Sequence, residues 1–450
     1  MQIFLPVCQI NEMQRFLEQL VPEKPKSTLG FATPYPTLRD HPLHTPEQWL
    51  EGKRTDDRAE NLWRINDSLY DLTDFIEKHP GGQDWLKFSK GTDITEAFTC
   101  HHLSNVPETI VKKFYVREAK EPRNTPFTLK DDGFYKTLKS NCVEALKTID
   151  HKDDKKTKLM ADCLFFSYLL LALAAAYFQS YVLGFASGIF LSMTAIAAHN
   201  FFHQRDNFRM HYFDFSLLSS KGWRISHVLS HHIYTNTIYD LEISAMEPWF
   251  QYLPVNKHPF YRYISWLYSP IVYLMMLPAS WIKMVIQFII DGGKSFHKAS
   301  LLPIAAFTLM YFFSTGSFLN FLLVYGALLT GLGLHFGFIG VTAAHHHPDI
   351  FHDGDKPSKE KGELDWGIHI LDTVMDKTDI TGNDFLVLTT FGDHCMHHLF
   401  PTLDHGILKH LYPVLYETCK QFDLEYRITT QLDLMIGQFK QLAKVQGKLQ

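Results

Sequence analysis

Three tight histidine clusters, each just beyond apolar sequence long enough to enter a bilayer, constrain this chain more than any other feature. They read His199-x3-His203, His227-x3-His231-His232 and His394-x2-His397-His398. Neutral imidazole is a good ligand for iron and zinc. On a helix, spacings of three and four place side chains on one face. Three such faces converging can hold two metal ions in an all-nitrogen shell at the membrane boundary. Isolated histidines such as His41, His44 and His297 read instead as ordinary surface or hydrogen-bonded residues. A further histidine emerges after the last apolar segment, in Ala343-Ala344-His345-His346-His347-Pro348. Adding His345 gives nine imidazoles, enough for two metals with open positions.

Composition narrows the class. At 450 residues the chain is too long for one small core, so two or more domains are expected. A net charge of −5 leaves no basic footprint for nucleic acid. The six cysteines are scattered without a C-x-x-C pair, which points to a reducing compartment and away from a disulfide frame or thiolate metal site. Met1 to Leu20 carries Glu12, Arg15 and Glu18 and lacks the layout of a signal peptide, so a cytosolic N-terminal domain is expected.

Residues 1–40, ending in Thr33-Pro34-Tyr35-Pro36, read as a polar tether, 41–120 as a compact unit, 121–160 as a linker and approach helix, and 161–450 as a membrane domain. A crossing needs ~20 apolar residues. Ala161–Val182 and Leu183–Ala198 give two slightly short spans joined near Gln179-Ser180, and Leu301–Phe313 and Phe318–Ala344 a second pair broken at Ser314-Thr315-Gly316. The aromatic stretch 249–290, interrupted by Pro270 and Pro278 and carrying Lys283, is expected to lie in the interface, where Trp and Tyr collect. Four spans and a cytosolic start put all three clusters on one side. A single crossing by 249–290 would separate the third from the others. The basic run Lys155-Lys156-Thr157-Lys158 agrees with that orientation.

In the N-terminal unit, Leu62–Ile65, Asn66-Asp67 and Ser68–Leu72 read as strand, turn and strand. Thr73 is a candidate N-cap for a helix over 74–78, which His79-Pro80 ends. A second helix is expected from Asp93, with Glu96 closing a capping box. Two histidines at the ends of short helices can face each other across a haem plane. The runs Leu69-Tyr70-Asp71-Leu72-Thr73-Asp74-Phe75, His79-Pro80-Gly81-Gly82 and Gly91-Thr92-Asp93-Ile94-Thr95-Glu96-Ala97-Phe98, with a later histidine, resemble the cytochrome b5 family over roughly 45–118. The resemblance implies haem b with His79 as one axial ligand and His102 as the other, His101 being the alternative. Two axial histidines leave no place for oxygen, so such a haem moves electrons. The acids Asp67, Asp71, Asp74, Glu77 and Asp84 suit either a reductase or plain solvent.

The histidine clusters, with their flanking apolar spans, resemble the membrane fatty acid desaturase and hydroxylase superfamily across about 165–425. That resemblance implies two non-haem irons held by His199, His203, His227, His231, His232, His394, His397 and His398. It adds a histidine at the last span, best matched by His345, with His346 the alternative. His394 stands where front-end desaturases usually carry glutamine. With Leu399-Phe400-Pro401 after it, this cluster is closer to the insect cytochrome b5-related proteins. Asp393 and Asp404 read as surface acids, with a place behind the imidazoles as the alternative. The implied fold is an α+β cytochrome b5-like haem domain followed by an all-α integral-membrane desaturase domain with four transmembrane helices and a cytosolic His-rich cap. The implied activity is O2-dependent desaturation of a fatty acyl chain, with electrons from NADH-cytochrome b5 reductase. A hydroxylase on the same scaffold and a non-catalytic electron carrier are the alternatives. A multi-pass protein of the endoplasmic reticulum, embedded in the lipid bilayer with both active sites facing the cytosol, is expected.

Overall fold

The computed structural model describes residues 21–31, 45–150, 152–341, 344–359 and 362–449. The N-terminal unit begins with α1 (Pro46–Asp57), set by a capping box between Thr45 and Gln48. A hairpin, β1 (Trp63–Ile65) and β2 (Ser68–Tyr70), turns at Asn66-Asp67 as expected. Two short helices follow, α2 (Gln83–Ser89) and α3 (Thr95–His101), and β3 (Tyr115–Glu118) then pairs antiparallel with β2. Trp63, Ile65, Leu72, Leu86, Ile94 and Val111 form the unit's own small core.

Two local expectations are corrected. Thr73 does not cap a helix: it is the first residue of the 3-10 turn Thr73–Lys78, and its hydroxyl donates back to Asp71. Nor does Glu96 close a capping box. Asp93 accepts from the Thr95 amide and hydroxyl, which delays the helix start, while Glu96 is buried against the Arg123 guanidinium. A buried carboxylate beside a cation gains more from that pair than from a single backbone amide.

The apolar half opens with α4 (Lys152–Phe178) and α5 (Tyr181–Phe202). Both outrun the expected spans, because the charged first turn joins α4 and the first histidine cluster continues α5. Their turn at Gln179-Ser180 is where expected, with Ser180 capping the Leu183 amide. Three further apolar helices are α6 (Ser265–Ile290), α7 (Leu302–Phe312) and α8 (Phe318–Ile339). Helices α5 and α8 run side by side at very short range: a Cβ on Gly188 would lie 2.0 Å from the Leu328 carbonyl, and one on Gly331 2.1 Å from that of Phe185. Only glycine admits that approach.

By length and hydropathy, four described helices can cross a membrane: α4, α5, α6 and α8. The expected number is met, but not the expected membership, since α6 qualifies and α7 is too short. The contacts separate these two helices. Gln179 and Tyr177, in the α4–α5 turn, bond Ser314 and Thr315 after α7, so α7 ends far from the histidines. Its start lies by the 3-10 segment Phe208–Ser216, just beyond the first cluster. Helix α7 therefore runs from the Phe208–Ser216 segment to the α4–α5 turn. Helix α6 does not. The middle of α6 packs on the histidine end of α8, where Gly333 and Gly337 meet Tyr273, while Met284, near its far end, touches Ser300, just before α7. It lies across the bundle's histidine end and carries Pro270 and Pro278 within its length.

The N-terminal unit is bolted to the rest. Trp49 donates to the Tyr239 carbonyl at 2.8 Å, Tyr239 donates to Asp56 at 2.6 Å, and the Lys53 ammonium lies 4.6 Å from both the Tyr234 and Tyr239 rings. Trp49, Leu50 and Cys100 belong to the same continuous core as Trp366, Leu399 and Phe400. The reading of residues 1–40 as a tether is corrected in its described part. Leu29 and Phe31 are apolar and buried, Phe31 lies edge-on to Tyr234 and Tyr239, and Thr28 bonds Asp353. Thr33–Pro36 and the lone His41 and His44 lie outside the described residues.

Candidate haem and metal sites

His79 closes its 3-10 turn and His102 follows α3, so the chain brings the two rings opposite each other with their planes nearly perpendicular. Their centroids are 6.2 Å apart. Two metal–imidazole bonds of about 2 Å in line, plus roughly 1 Å from each nitrogen to its ring centre, give about 6 Å. Each Nδ1 contacts a carbonyl, His79 with Gly82 at 2.9 Å and His102 with Phe98 at 2.8 Å. With Nδ1 as the donor, Nε2 is left as the free lone pair. Burial pushes His102 down to about 4, so it is neutral near pH 7. Phe75 and Phe98 flank the two rings. His101 turns the other way, bonding Ala97 and facing Trp85. A haem fits between His79 and His102.

The nine histidines expected as metal ligands converge. They divide into a group of five (His199, His203, His227, His232, His397) and a group of four (His231, His345, His394, His398), with the ligand atoms within each group inside 4.8 Å of one another. Every one of them is buried. The Nε2 of His199 lies 2.7 Å from that of His227, 3.0 Å from that of His203 and 3.1 Å from that of His397. In the second group, the His394 Nε2 is 2.7 Å from that of His345 and 3.2 Å from that of His398. One imidazole nitrogen carries either a single hydrogen or a single lone pair. It cannot satisfy three such neighbours. Ligands about 2.0–2.1 Å from one shared cation do stand roughly 3 Å apart, so the donor sets fit one metal each.

The helix faces do not sort as the spacing predicted. His199 and His203, four apart, share a group; His227 and His231, also four apart, do not. The second cluster lies in a π-helix, Arg224–His231, in which the His232 amide bonds the His227 carbonyl five residues back. That wider turn brings the His232 Nε2 within 3.0 Å of the His227 Nε2 and sends the His231 Nε2 to the other group. Such turns concentrate at functional sites. In the third cluster, on α9 (His394–Leu399), His394 and His398 share a group while His397 joins the five. His345 stands in the group of four. His346, the alternative, lies flat on Tyr252 instead, 3.6 Å between centroids.

Sequence reasoning missed the carboxylates behind the rings. Asp240 accepts from His231 Nδ1 at 2.9 Å, and Glu242 sits 3.0 Å from His227 Nδ1, though out of line for a hydrogen bond. His345 Nδ1 contacts the Thr373 carbonyl at 3.0 Å, and Asn236 donates to the His345 carbonyl. Burial opposes charge on His231, but Asp240 and Glu242 outweigh it and its pKa rises; at His394 and His398 burial dominates and the pKa falls. The rule that ligating imidazoles lean on carboxylates would have directed attention to the two acids just after the second cluster. Asp393 and Asp404, expected as surface acids, are buried. Asp404 accepts from Asn200, which in turn contacts His405 beside His397.

A cavity of about 800 Å³ opens onto both groups at His227, His231, His345 and His394. It follows α6 from Tyr268 to Gln287, which at ~1.5 Å per residue is roughly 28 Å. Its walls are mostly apolar, with Leu218, Met246, Ile271, Met276 and Phe336 among them, and Glu47, Lys221 and Lys283 also line it.

Comparison with known proteins identifies the family of each half of the chain. The family model described as Fatty acid desaturase matches residues 173–430, more than half of the chain. The chain belongs to the fatty acid desaturase family. A second model, Cytochrome b5-like Heme/Steroid binding domain, matches residues 47–120, so this desaturase is fused to a cytochrome b5-type domain. A cytochrome b5-related protein of Drosophila melanogaster is 43% identical over 93% of this chain and 96% of its own. Delta(5) fatty acid desaturase A of Dictyostelium discoideum is 26% identical over 81% and 86% of the respective chains, and an acyl-lipid (8-3)-desaturase of Mortierella alpina 23% over 84% and 92%. No solved structure matches it significantly. The family makes the protein an oxidoreductase, and its apolar helices make it a multi-pass membrane protein.

Proposed function

We propose that this desaturase removes two hydrogens from a fatty acyl chain lying along α6. In this reading the groups of five and four histidines hold one iron each, and haem b between His79 and His102 supplies the electrons. The observation that carries it is the long apolar cavity ending on imidazoles from both groups. An unactivated methylene has no acidic proton and no leaving group, so side chains alone cannot attack it. A bound iron pair supplies the oxygen-activating, hydrogen-abstracting chemistry. The protein's share is position and dryness. Leu218, Met276 and Phe336 hold the chain and exclude water. Asp240 and the Thr373 carbonyl keep the Nδ1 protons of His231 and His345, leaving Nε2 to the metal.

The reading extends to partners and place: NADH-cytochrome b5 reductase as the electron source, O2 as the oxidant, and an endoplasmic reticulum membrane with the histidine end facing the cytosol. Expression with reductase, NADH and acyl substrates, followed by lipid mass spectrometry, tests it. A product two mass units lighter is expected; addition of one oxygen, or no conversion at full iron loading, rules it out.

The axial assignment has its own test. His102→Ala is expected to abolish the low-spin haem absorbance, and His101→Ala to retain it. The reverse pattern would move the ligand to His101.

A further inference from the structure

The geometry points to Trp85 and Arg224 as the bridge by which electrons leave the haem and enter the group of five histidines. This rests on the function proposed above and names the route within it. Trp85, on α2, sits directly behind the loop that carries His79: its Cδ1 lies 3.6 Å from where a Cβ on Gly81 would stand. Its ring also faces His101, the neighbour of His102, at 5.8 Å. On its other side the Arg224 guanidinium lies 4.6 Å from the indole. Arg224 opens the π-helix of the second cluster and is fully buried. Its Nε donates to the Phe202 carbonyl at 3.0 Å, and Phe202 is bonded to His203 and stacks on that ring at 5.2 Å.

The links are a ring contact from Trp85 to His101, a cation over the indole, a hydrogen bond to Phe202, and the chain bonds that join His101 to His102 and Phe202 to His203. The junction is also held tightly. Arg224 pairs with Asp206, whose carboxylate is so close to Gly82 that a Cβ there would come within 2.4 Å of it. Gly82 has φ +110°, open to glycine and strained for other residues. Arg224 therefore ties the haem loop and the first two clusters into one unit. Cation–π contact of this kind is strongest when desolvated, as here.

The path reaches His203 of the five-histidine group. One electron leaves ferrous haem, which becomes ferric, and reduces one ferric non-haem iron to ferrous. Two transfers serve the pair.

The test uses the full chain loaded with haem and iron, without oxygen or substrate, so turnover plays no part. The haem is flash-reduced and its reoxidation followed by absorbance. Trp85→Leu is expected to slow that decay about tenfold, equivalent to about 1.4 kcal/mol in barrier, with haem spectrum and iron content unchanged. Trp85→Phe restores most of the rate, because a ring returns to the same place. Equal rates in Trp85→Leu and the unaltered chain would overturn the route alone. Absence of iron-dependent reoxidation in the unaltered chain would overturn the parent reading, and the route with it. If Trp85→Leu does not fold, a Trp85→Phe rate identical to that of Trp85→Ala would equally sink the proposal.

Discussion

Replacing His199 by alanine is expected to leave the purified protein with one non-haem iron per haem instead of two, and to end desaturation. His199 has the most crowded nitrogen of the site, with three other Nε2 atoms within 3.1 Å. Removing it leaves His203, His227, His232 and His397 around a hole flanked by Phe202 and Phe391, which offer no lone pair. The four-histidine group contains no residue from the first cluster, so its metal should stay. A variant in the second or third cluster behaves differently, because those clusters feed both groups. His394→Ala should empty the group of four, and the pair His231→Ala with His232→Ala should empty both. Iron and haem counted on the same detergent-purified samples read this out. If His199→Ala retains a full iron complement, or loses both ions, the division into five and four is wrong. The haem spectrum serves as the folding control, since the His79–His102 site shares no ligand with the iron groups.

That the eight clustered imidazoles come together was legible because metal-binding chemistry demands that residue type, and the box spacings survive whatever the backbone does between them; His345 was set apart from His346 only through the family resemblance. The partition of the imidazoles was not legible. It depends on whether a turn closes at four or five residues, and nothing in Arg224–His231 announces the wider turn. His231 and His232 therefore went unsorted. The α6 helix shows a related limit. Its length and hydropathy satisfy a membrane span while its aromatic residues and prolines favour the interface, and it is the packing of Tyr273 against Gly337 and of Met284 against Ser300 that sets it across the bundle end. Phe31 was hidden for the opposite reason: one aromatic residue beside a proline-rich stretch looks like linker until Tyr234 and Tyr239 are seen to receive it. The fixed docking of the haem unit was not legible, because Trp49 and Lys53 lie almost two hundred residues from their partner Tyr239.

Asp240 provides the second large effect, and two substitutions separate its roles. It is buried, and its Oδ2 accepts from His231 Nδ1 and from the Asn236 amide, each at 2.9 Å. Its Oδ1 caps the short helix Leu241–Ser244 through the amides of Glu242 and Ile243. Asp240→Ala strips all of these. The lost cap costs about 0.5–2 kcal/mol, and each orphaned buried donor adds about 1–3 kcal/mol, so a clear drop in melting temperature is expected. Asp240→Asn is nearly isosteric and keeps the cap through its carbonyl. It places an NH2 group where Oδ2 faced His231, however, and a donor there favours the tautomer with the proton on Nε2. That is the nitrogen the metal needs. The same NH2 group leaves the Asn236 amide without its acceptor, so the asparagine variant should melt below the unaltered protein but above Asp240→Ala, and bind iron in the four-histidine group about 10–100-fold more weakly. A chelator titration measures this directly: the first iron should leave Asp240→Asn at far lower chelator concentration, while the five-histidine iron leaves as before. Equal retention in both would mean that His231 holds its tautomer without Asp240. Loss of melting temperature with no change in iron affinity would reduce the carboxylate to a helix cap.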